Sequence, residues 1–273
     1  MKTASVKFRS PWLIAPGTKV RLSKLACDAD GSYKHEQQAA AELEKNRLKM
    51  SSLQEKLYAG ATHGLLIVLQ GMDTAGKDST IAHIFTGVNP QGCDVQPFKV
   101  PTPLEARHDF LWRAHNAVPA RGMIGIFNRS HYEDVLSPRV HGAISEKQSR
   151  ARMEEINGFE EILVRNGIAV VKFFLHISRA EQGQRLQARI EDSSKHWKLS
   201  EADFAERKFW PQYVRAYEDI LEHTSKKHAP WFVIPSDHKW VRNVSISRIL
   251  VDTMQRMQLQ YPAVTVDVSK LKI

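Results

Sequence analysis

The sequence predicts an α/β fold in which a five-stranded parallel sheet is covered by helices on both faces. Short apolar runs alternate along the chain with longer helix-like stretches. Several of these runs are apolar nearly throughout, which is typical of strands buried on both faces. With 273 residues, 42% of them hydrophobic, and no internal repeat or low-complexity linker, the chain is expected to form a single domain over residues 1–273.

The predicted elements follow one another in a regular order. An N-terminal arm and a long helix are predicted for about residues 1–60: residues 1–32 contain prolines and glycines with little periodicity, and residues 34–57 have leucines at helical spacing. Strands are predicted at residues 65–69, 94–100, 123–127, 169–177 and 231–234. Helices are predicted at residues 78–86, 102–115, 146–165, 179–190, 200–222 and 241–257.

The composition narrows the classes of function. Lys and Arg number 39 against 30 Asp and Glu, a formal net charge of +9, which favours a polyanionic partner and equally fits a merely basic surface. Cys27 and Cys93 lie far apart, outside any Cys-x-x-Cys pattern, so we expect a reducing compartment without disulfides or a zinc site. No apolar run approaches the roughly 20 residues of a membrane span, and the N-terminus lacks the apolar stretch of a secretory signal; the cytoplasm is the expected location.

A phosphate-binding loop is the clearest local pattern. The stretch LLIVLQGMDTAGKDST, residues 65–80, runs from an apolar strand through a glycine-rich turn to a lysine, close to the pattern G-x-x-x-x-G-K-[ST]. Its N–H groups can converge on an anion, and the next helix offers its positive end; an ordinary glycine-containing turn is the alternative. The residues expected at the phosphate are Gly71, Thr74, Ala75, Gly76, Lys77, Asp78 and Ser79, with Lys77 reaching the transferred phosphoryl group.

This loop also carries two carboxylates. Asp73 lies inside the loop, where its oxygens can bind Mg²⁺ directly or through water. Asp78 stands where the pattern asks for a hydroxyl that holds magnesium. Two interpretations of Asp78 remain open: a direct role in the reaction, or a favourable interaction with the positive end of the helix.

A second polar motif follows the strand at residues 123–127. The stretch MIGIFNRSHYEDVL, residues 123–136, releases polar side chains at the carboxyl end of the sheet, where open α/β sheets bind their ligands. Asn128 stands where an acid of the metal shell is normally found, and Glu133 or Asp134 can replace it. Arg129 can clamp a phosphate with two hydrogen bonds.

Further cations are candidates for the substrate site. The stretch QRLQARIEDSSKHWKLSEADFAERKFW, residues 184–210, is interpreted as part of a helical lid over about residues 180–210, which would close over phosphates and exclude water; a solvated pair of charged helices is the alternative. Phe98 and Trp112 can stack on an adenine base or belong to the core. The lid cations are Arg185, Arg189, Lys195 and Lys198, and the candidates for the nucleotide site are Lys99, Arg107 and Arg113.

Together these motifs resemble the polyphosphate kinase 2 family. The matching stretches are GMDTAGKDST, GVNPQGCDVQPFKVPT, HDFLWR, GMIGIFNRSHYEDVL, SKHWKLSEAD and DHKWVRN, and they cover most of the chain from about residue 60 to 245. The aspartate after the lysine belongs to this family's own pattern. The resemblance implies a P-loop fold like that of thymidylate kinase, and a reversible, Mg²⁺-dependent transfer of phosphoryl groups between inorganic polyphosphate and a nucleotide.

The resemblance also implies roles for individual residues. Carried onto the matching positions, it makes Asp73, Lys77, Arg129 and Glu133 the catalytic group. Within this group, the metal is expected at Asp73 and Glu133. Among the lid cations, Arg185 and Arg189 are expected to bind phosphate. The form N-R-S-x-Y-E, in place of D-R-S-x-Y-N, is similar to that of members that phosphorylate both AMP and ADP.

The expected partners are polyphosphate and the adenine nucleotides AMP, ADP and ATP, with neither nucleic acid nor a membrane. A homo-oligomer is expected as well, because family members commonly assemble and Trp210 and Tyr213 look exposed. An ATP-dependent nucleoside monophosphate kinase is the nearest alternative, since it would share the loop and the lid. A non-catalytic nucleic-acid binder is a second alternative, but the sequence has no nucleic-acid-binding signature.

Overall fold

A computed structural model describes residues 10–271 of the chain, apart from the side chain of residue 269. Its strands are β1 (Gly64–Gly71), β2 (Cys93–Pro97), β3 (Ile124–Asn128), β4 (Ile168–His176) and β5 (Trp231–Pro235). They form one parallel sheet in the order β2-β3-β1-β4-β5. The predicted five-stranded parallel sheet is confirmed, with small differences at the strand ends.

The helices surround this sheet in two groups. The α-helices of the described residues are α1 (Glu36–Gly60), α2 (Lys77–Ile84), α3 (Trp112–Asn116), α4 (Glu133–Val140), α5 (Glu146–Arg165), α6 (Arg179–Glu191), α7 (Glu201–Glu206), α8 (Trp210–Thr224) and α9 (Lys239–Arg256). Both α1 and α2 pack against α9, whereas α4 and α5 pack against α8. Every position of β1 is buried, because this central strand has a neighbour on each edge and helices over each face.

The apolar side chains of the strands form one large core with the inner faces of both helix groups. Leu65 on β1, Phe127 on β3 and Phe173 on β4 have 0% of their surface exposed. Burial of apolar surface in this layered arrangement is the main force that holds the elements together.

The single-domain organisation stays a prediction. Within residues 10–271, no helix combines the length and the apolarity needed to cross a bilayer.

The N-terminal segment from residue 10 covers one edge of the sheet. Leu13 forms an antiparallel bridge with Phe232 of β5, and the backbone hydrogen bonds beside this bridge measure 2.9 Å. Because an open strand edge is a template for pairing with other chains, this segment protects β5. The predicted arm is therefore partly built into the sheet. Its residues 1–9, which include most of the N-terminal stretch expected to lack a secretory signal, lie outside the described residues.

The helix predicted at residues 102–115 is wrong in extent. Only the 3₁₀ turn Glu105–Arg107 and the short α3 are helical in this segment. Between them, the carboxylate of Asp109 accepts a hydrogen bond from the N–H of Leu111 at 3.0 Å. Such a local side-chain contact favours a turn over a continuous helix.

The helix predicted at residues 200–222 is interrupted. It consists of α7, the 3₁₀ turn Arg207–Phe209 and α8. Pro211 lies at the start of α8; proline lacks the N–H that a continuous helix needs and suits a first helical turn. The helix α4, which begins within the second polar motif and contains Pro138, was not predicted from the sequence.

Candidate active site

The candidate site lies at the carboxyl edge of the sheet, where β1 and β3 end side by side. Leu69 of β1 is in register with Asn128 of β3, so the loop after β1 and the motif after β3 leave the sheet at the same level. The N–H of Arg129 donates to the carbonyl oxygen of Leu69 at 3.0 Å and extends the pairing by one residue. This neighbourhood brings together two motifs that are far apart in the sequence.

Lys77 lies inside the loop that joins β1 to α2. Its ammonium donates to the carbonyl oxygens of Gly71 at 2.9 Å and Met72 at 3.3 Å. Burial, together with the positive charge of Arg129, lowers the pKa of Lys77 to about 8, although Asp73 acts in the opposite direction. The ammonium is thus held by neutral acceptors, which an incoming anion can replace.

The first turn of α2 offers N–H groups to an anion. Gly76 is the N-cap residue, with a φ of +104°, and no side chain caps the helix. The first N–H groups of a helix have no partner inside it, and the helix dipole adds positive potential at this end. The loop therefore has the features of a phosphate-binding helix N-terminus.

Arg129 joins the two carboxylates expected at the metal. Its guanidinium is ion-paired with Asp73 and has a nitrogen 3.6 Å from Oε2 of Glu133. Burial by itself would lower the pKa of Arg129, but the charges of Glu133 and Asp73 outweigh burial and raise it. Its φ of +61° lies in the left-handed region, which costs roughly 1 kcal/mol or more in a residue with a side chain. The backbone thus holds this guanidinium between the loop and α4.

Glu133 begins α4 and shares a cleft with Asp73. Burial raises the pKa of Glu133, while the positive charges of Arg129 and Lys77 act in the opposite direction. Among the described residues, no group of three or more His, Cys, Asp or Glu side chains is arranged to hold a metal. Magnesium usually takes only one or two protein carboxylates and completes its shell with water and substrate phosphates. The oxygens of Asp73 and Glu133 therefore fit a Mg²⁺ ion that arrives with a phosphate.

The cleft opens between this group and the helices that follow β4. One wall consists of Gly71, Met72, Asp73, Arg129 and Glu133, and the other of Gln182, Asp203, Glu206, Arg207, Trp210, Tyr213 and Tyr217. The expected exposure of Trp210 and Tyr213 is wrong: both side chains are half-buried and line the cleft. The hydroxyl of Tyr213 donates to Glu206 at 2.7 Å. These two aromatic residues therefore do not support an oligomer contact.

Asp78 is bound to the second motif. The side-chain amide of Asn128 donates to Oδ1 of Asp78 at 2.7 Å. This contact ties the first turn of α2 to the end of β3. An amide suits position 128, because two carboxylates facing each other would repel and neither would have a proton to donate.

The predicted lid is a helical hairpin of α6, the 3₁₀ turn Ser193–Lys198 and α7. The side-chain amide of Gln182 donates to the carbonyl oxygen of Asp73 at 3.1 Å. Arg207 in turn donates to the side chain of Gln182 and, at 3.0 Å, to the carbonyl oxygen of Arg179. The hairpin is thus connected directly to the phosphate loop.

The predicted lid cations have different surroundings. Arg189 has a nitrogen 3.8 Å from Oδ2 of Asp203, which lines the cleft. Lys195 is exposed and pairs with Asp192 at 2.6 Å. The exposed Lys198 has its ammonium 4.8 Å from the ring centre of Trp197. Of these cations, only Arg189 reaches a residue of the cleft.

The structure corrects the expected position of Arg185, which lies behind the phosphate loop. Its guanidinium donates to the carbonyl oxygens of Thr74 and Ala75, both at 3.1 Å. It also donates to two carbonyl oxygens after β5, at 2.6 and 3.1 Å, and its Nε pairs with Glu181 at 2.7 Å. All five donors of a guanidinium are thereby used. Arg185 supports the loop and has no donor left for a phosphate.

A second arginine, which was not predicted from the sequence, lies behind the loop. Arg242 on α9 is 1% exposed. It donates to the carbonyl oxygen of Ala75 at 3.2 Å and to the hydroxyl of Ser79 at 3.0 Å. The hydroxyl of Ser79, expected at the phosphate, itself donates to the carbonyl oxygen of Gly76 at 3.0 Å. Arg242 belongs to the stretch DHKWVRN, which resembles the family, but this stretch by itself indicates no role for the arginine.

The three candidate nucleotide residues lie outside the cleft. Arg113 is buried and donates to the carbonyl oxygen of Lys99 and to Asp134, both at 2.7 Å. Asp134 is therefore engaged with Arg113, and of the two acids considered for the metal only Glu133 lines the cleft. Lys99 and Arg107 are exposed. The structure brings none of the three cations to the catalytic group.

The two aromatic candidates have partners within the protein. Phe98 is buried and packs against Phe127, with 4.7 Å between ring centres. Trp112 stacks on His108 at 4.2 Å. Phe98 therefore belongs to the core, as one of the two interpretations expected, and Trp112 is stacked on a side chain of its own chain.

A buried polar network lies behind the second motif. Lys172 of β4 donates to Glu160 at 2.5 Å, to the hydroxyl of Tyr132 at 2.9 Å and to the carbonyl oxygen of Thr224 at 2.8 Å. Tyr132 donates to Glu160 at 2.9 Å, and His131 has a ring nitrogen 3.3 Å from the same carboxylate oxygen. Burial raises the pKa of Glu160, but the charge of Lys172 outweighs it and the net shift is downward. The network anchors the chain between Arg129 and Glu133.

Comparisons with known proteins agree on one family. A family profile described as Polyphosphate kinase 2 matches residues 33–262. The chain is 43% identical over 250 residues to an AMP/ADP-polyphosphate phosphotransferase of Meiothermus ruber, covering 91% of this chain and 94% of that one. It is 39% identical to an ADP-polyphosphate phosphotransferase of Rhodopseudomonas palustris, covering 97% and 94%. The crystal structure of a polyphosphate kinase 2 from Arthrobacter aurescens TC1 superposes with a TM-score of 0.91 at 39% identity, covering 98% and 97%.

Proposed function

Because this chain belongs to the polyphosphate kinase 2 family, we propose that it transfers the terminal phosphoryl group of inorganic polyphosphate to an adenine nucleotide, with AMP and ADP both as acceptors. The observation that carries the proposal is the group of Lys77, Arg129, Asp73 and Glu133 at one end of the sheet. Two cations and two carboxylates beside a helix N-terminus suit a phosphate chain that brings a divalent metal. The same arrangement supports the reverse transfer.

The reaction is an in-line displacement at the terminal phosphorus of polyphosphate. A phosphate oxygen of the nucleotide forms the new P–O bond, and the bridging P–O bond breaks, so that its electron pair stays on the shortened polyphosphate. The acceptor oxygen is already anionic near neutral pH, and no strong general base is needed. The task of the protein is therefore to orient two anions and to neutralise their charge.

Each residue of the catalytic group has a task in this scheme. Lys77 leaves its carbonyl acceptors and binds the transferred phosphoryl group, while the first turn of α2 binds the neighbouring phosphate with its N–H groups. Arg129 stabilises the charge that develops during transfer. Asp73 and Glu133 are proposed to hold Mg²⁺, which would neutralise phosphate charge and link the substrate to the protein.

The proposal that both nucleotides are acceptors rests on two supports. The relative from Meiothermus ruber carries AMP and ADP in its name, and this chain has Asn128 and Glu133 in the motif form that resembles that subgroup. The relative from Rhodopseudomonas palustris carries ADP alone. This chain has a similar degree of identity to both relatives. AMP and ADP must therefore be compared directly as acceptors.

A single assay tests the proposal against the nearest alternative. The protein is incubated with Mg²⁺ and polyphosphate plus AMP or ADP, and separately with ATP plus AMP, and the nucleotides are separated by chromatography. Formation of ADP and ATP from polyphosphate is the expected result. Product with ATP as donor and none with polyphosphate would instead favour a nucleoside monophosphate kinase. Removal of Mg²⁺ by EDTA, followed by its restoration, tests the metal.

The assignment of Lys77 has its own test. Lys77→Ala is expected to lower kcat by about 10³-fold or more, since a cation that stabilises phosphoryl transfer contributes about that much. The exposed Lys195 of the hairpin provides a control, because it pairs with Asp192 and lies away from the cleft. Activity of Lys77→Ala close to that of Lys195→Ala would contradict the assignment.

A further inference from the structure

Arg242 is a buried cation whose hydrogen-bond partners are all neutral. It is 1% exposed, and its guanidinium donates to Ala75, Ser79 and the side-chain oxygen of Asn243. Among the described residues, none of these partners is a carboxylate. A buried charge without a counter-ion is costly. The surroundings of Arg242 therefore leave an unbalanced positive charge beside the phosphate loop.

The positive charge of Arg185 makes the local imbalance larger. Burial and the positive charge of Arg185 lower the pKa of Arg242 to about 9. Both guanidinium groups donate to the same carbonyl oxygen, that of Ala75, at 3.1 and 3.2 Å. Arg185 has its own carboxylate in Glu181, whereas Arg242 has none within residues 10–271. The net positive charge therefore lies on the Arg242 side of the loop.

The contacts of Arg242 determine which way the loop faces. A peptide plane directs its C=O and the N–H of the next residue to opposite sides. The two arginines hold the Ala75 carbonyl on their own side, so the N–H of Gly76 points away from them. Arg242 also holds the hydroxyl of Ser79 in the first turn of α2. Both contacts orient the segment whose N–H groups bind an anion.

The fit between Arg242 and the loop leaves no room for a side chain at position 76. A Cβ added to Gly76 would lie 1.9 Å from Nη1 of Arg242. The glycine at this point of the loop is therefore needed for the approach of the arginine as well as for its φ of +104°. The loop and α9 are matched in shape at this contact.

Asn243 holds the guanidinium without neutralising it. Its side-chain oxygen accepts from Nε at 3.1 Å and from Nη2 at 3.0 Å. An aspartate has nearly the same size and would accept the same two hydrogen bonds, with the addition of a negative charge. The neutral amide thus leaves the positive charge of Arg242 available to the loop.

We propose that Arg242, held by Asn243, is a positioning residue for polyphosphate binding: it orients the loop segment 75–79 from behind and supplies a positive charge that is balanced only when the phosphate chain is bound. Arg242 acts through the loop and does not touch the substrate, because it is 1% exposed and its hydrogen bonds go to Ala75, Ser79 and Asn243. The inference rests on the proposed function, since it takes polyphosphate as the anion of this loop.

The first test compares two arginines on the same helix. Arg242→Gln and Arg242→Lys are expected to raise the KM for polyphosphate roughly tenfold or more, as expected for loss of hydrogen bonds to a charged group, with a smaller effect on the KM for AMP. Arg248→Gln is the matched control: Arg248 also lies on α9 but pairs with Glu42, away from the cleft. Circular dichroism and thermal melting establish that each variant is folded.

The second test changes the charge and keeps the shape. Asn243→Asp is expected to preserve or raise the melting temperature of the free protein, because it pairs a buried charge. It is also expected to weaken binding of tripolyphosphate, measured by calorimetry without turnover, by roughly tenfold. A merely structural role of Arg242 predicts unchanged affinity in Asn243→Asp. This variant decides the question even if Arg242→Gln does not fold.

The outcomes separate this inference from the proposed function. Polyphosphate-dependent activity in the wild-type protein, with unchanged tripolyphosphate affinity in Asn243→Asp and Arg242→Lys, overturns the inference and leaves the function standing. Wild-type protein that neither binds tripolyphosphate nor uses polyphosphate overturns both. Weaker tripolyphosphate binding in Asn243→Asp, with normal binding in Arg248→Gln, supports the inference.

Discussion

Asp78 is the acid that the sequence left with two interpretations, and its contact with Asn128 favours a third one. The 2.7 Å hydrogen bond joins α2 to the end of β3, so the carboxylate connects the two halves of the site. The other acid of the loop, Asp73, pairs with Arg129 and lines the cleft. The two acids therefore have different surroundings although five positions separate them.

Conservative and severe changes at Asp78 are expected to differ. Asp78→Asn keeps an oxygen that accepts from Asn128, so kcat/KM should stay within about threefold of wild type, whereas Asp78→Ala loses the contact and should cost roughly tenfold, the scale of a hydrogen bond with one charged partner. Steady-state kinetics at saturating Mg²⁺ measures both. If Asp78→Asn lost as much activity as Asp78→Ala and regained it at high Mg²⁺, Asp78 would be a metal ligand instead.

The lowered pKa of Lys77 gives polyphosphate binding a pH dependence. Only the charged amine attracts phosphate, so above a pKa of about 8 the dissociation constant for tripolyphosphate should rise, approaching about tenfold per pH unit. Folding stability changes with the opposite sign: between about 8 and 10.5 the unfolded chain keeps the proton that the folded chain releases, so this group's contribution to stability rises with pH. The titration of Lys77 therefore does not by itself destabilise the folded protein over the range in which binding weakens.

Calorimetry from about pH 7 to about pH 9 checks this prediction, and Lys77→Arg is the control, because arginine stays charged over that range. The profile of Lys77→Arg should be flatter than that of the wild type, whatever its absolute affinity. A wild-type affinity that is constant over this pH range would show that Lys77 does not titrate there.

The residues of the site differ in how far the sequence alone could locate them. Lys77 and Arg129 follow apolar strands, and parallel strands deliver their ends to one edge, so their meeting was predictable. The direction of Arg185 was not predictable, because a charge in a helix pattern does not tell which side it faces. Arg242 was missed because its partners in the loop lie more than 160 positions away, at separations of 163 and 167 residues.

At the scale of elements, the Lys172 network connects β4, α5 and α8 to the second motif. Strands and long helices were predicted well because apolar periodicity decides them. The break before α8 and the lack of a continuous helix at residues 102–115 were not predicted. The reason is that proline and aspartate act through local contacts that compete with helix propensity. The helix α4 was not predicted because the polar residues of the motif interrupt the apolar periodicity that indicates a helix.

Breaking the buried pair is expected to destabilise the protein strongly. Lys172→Met leaves Glu160 buried without its cation, so the free energy of unfolding should fall by about 3–5 kcal/mol. The matched control on α5 is Arg165→Gln, which breaks an exposed pair with Glu161 and should cost less than about 0.5 kcal/mol. Urea denaturation measures both variants.

The double variant Lys172→Met with Glu160→Gln removes the unpaired charge and is expected to recover part of the loss. Equal stabilities of Lys172→Met and Arg165→Gln would mean that the network contributes no more than a surface pair. A recovery of stability without a recovery of kcat would indicate that the network also positions the motif between Arg129 and Glu133.

At the scale of the whole molecule, the net charge of +9 should attract the longer polyanion more strongly. Raising NaCl from about 0.05 M to about 0.3 M shortens the Debye length and displaces bound counter-ions, so the KM for polyphosphate should rise several-fold, while the KM for AMP, which brings fewer charges, rises less. Initial rates at each salt concentration measure both constants. A control series with sucrose separates charge screening from other solvent effects. Equal salt sensitivity of the two constants would contradict this prediction.

The position of β1 in the sheet also governs how the chain can be made. Its partners β3 and β4 both come later in the sequence, so during translation its eight buried residues leave the ribosome with neither neighbour available. Such non-local parallel pairing is slow and leaves apolar surface open to aggregation while the chain grows. A nascent chain that stops before β3 has the whole phosphate loop in its sequence but neither of the strands that pair with β1. The rate of synthesis, and the presence of a chaperone that shields β1, should therefore affect the yield of active protein.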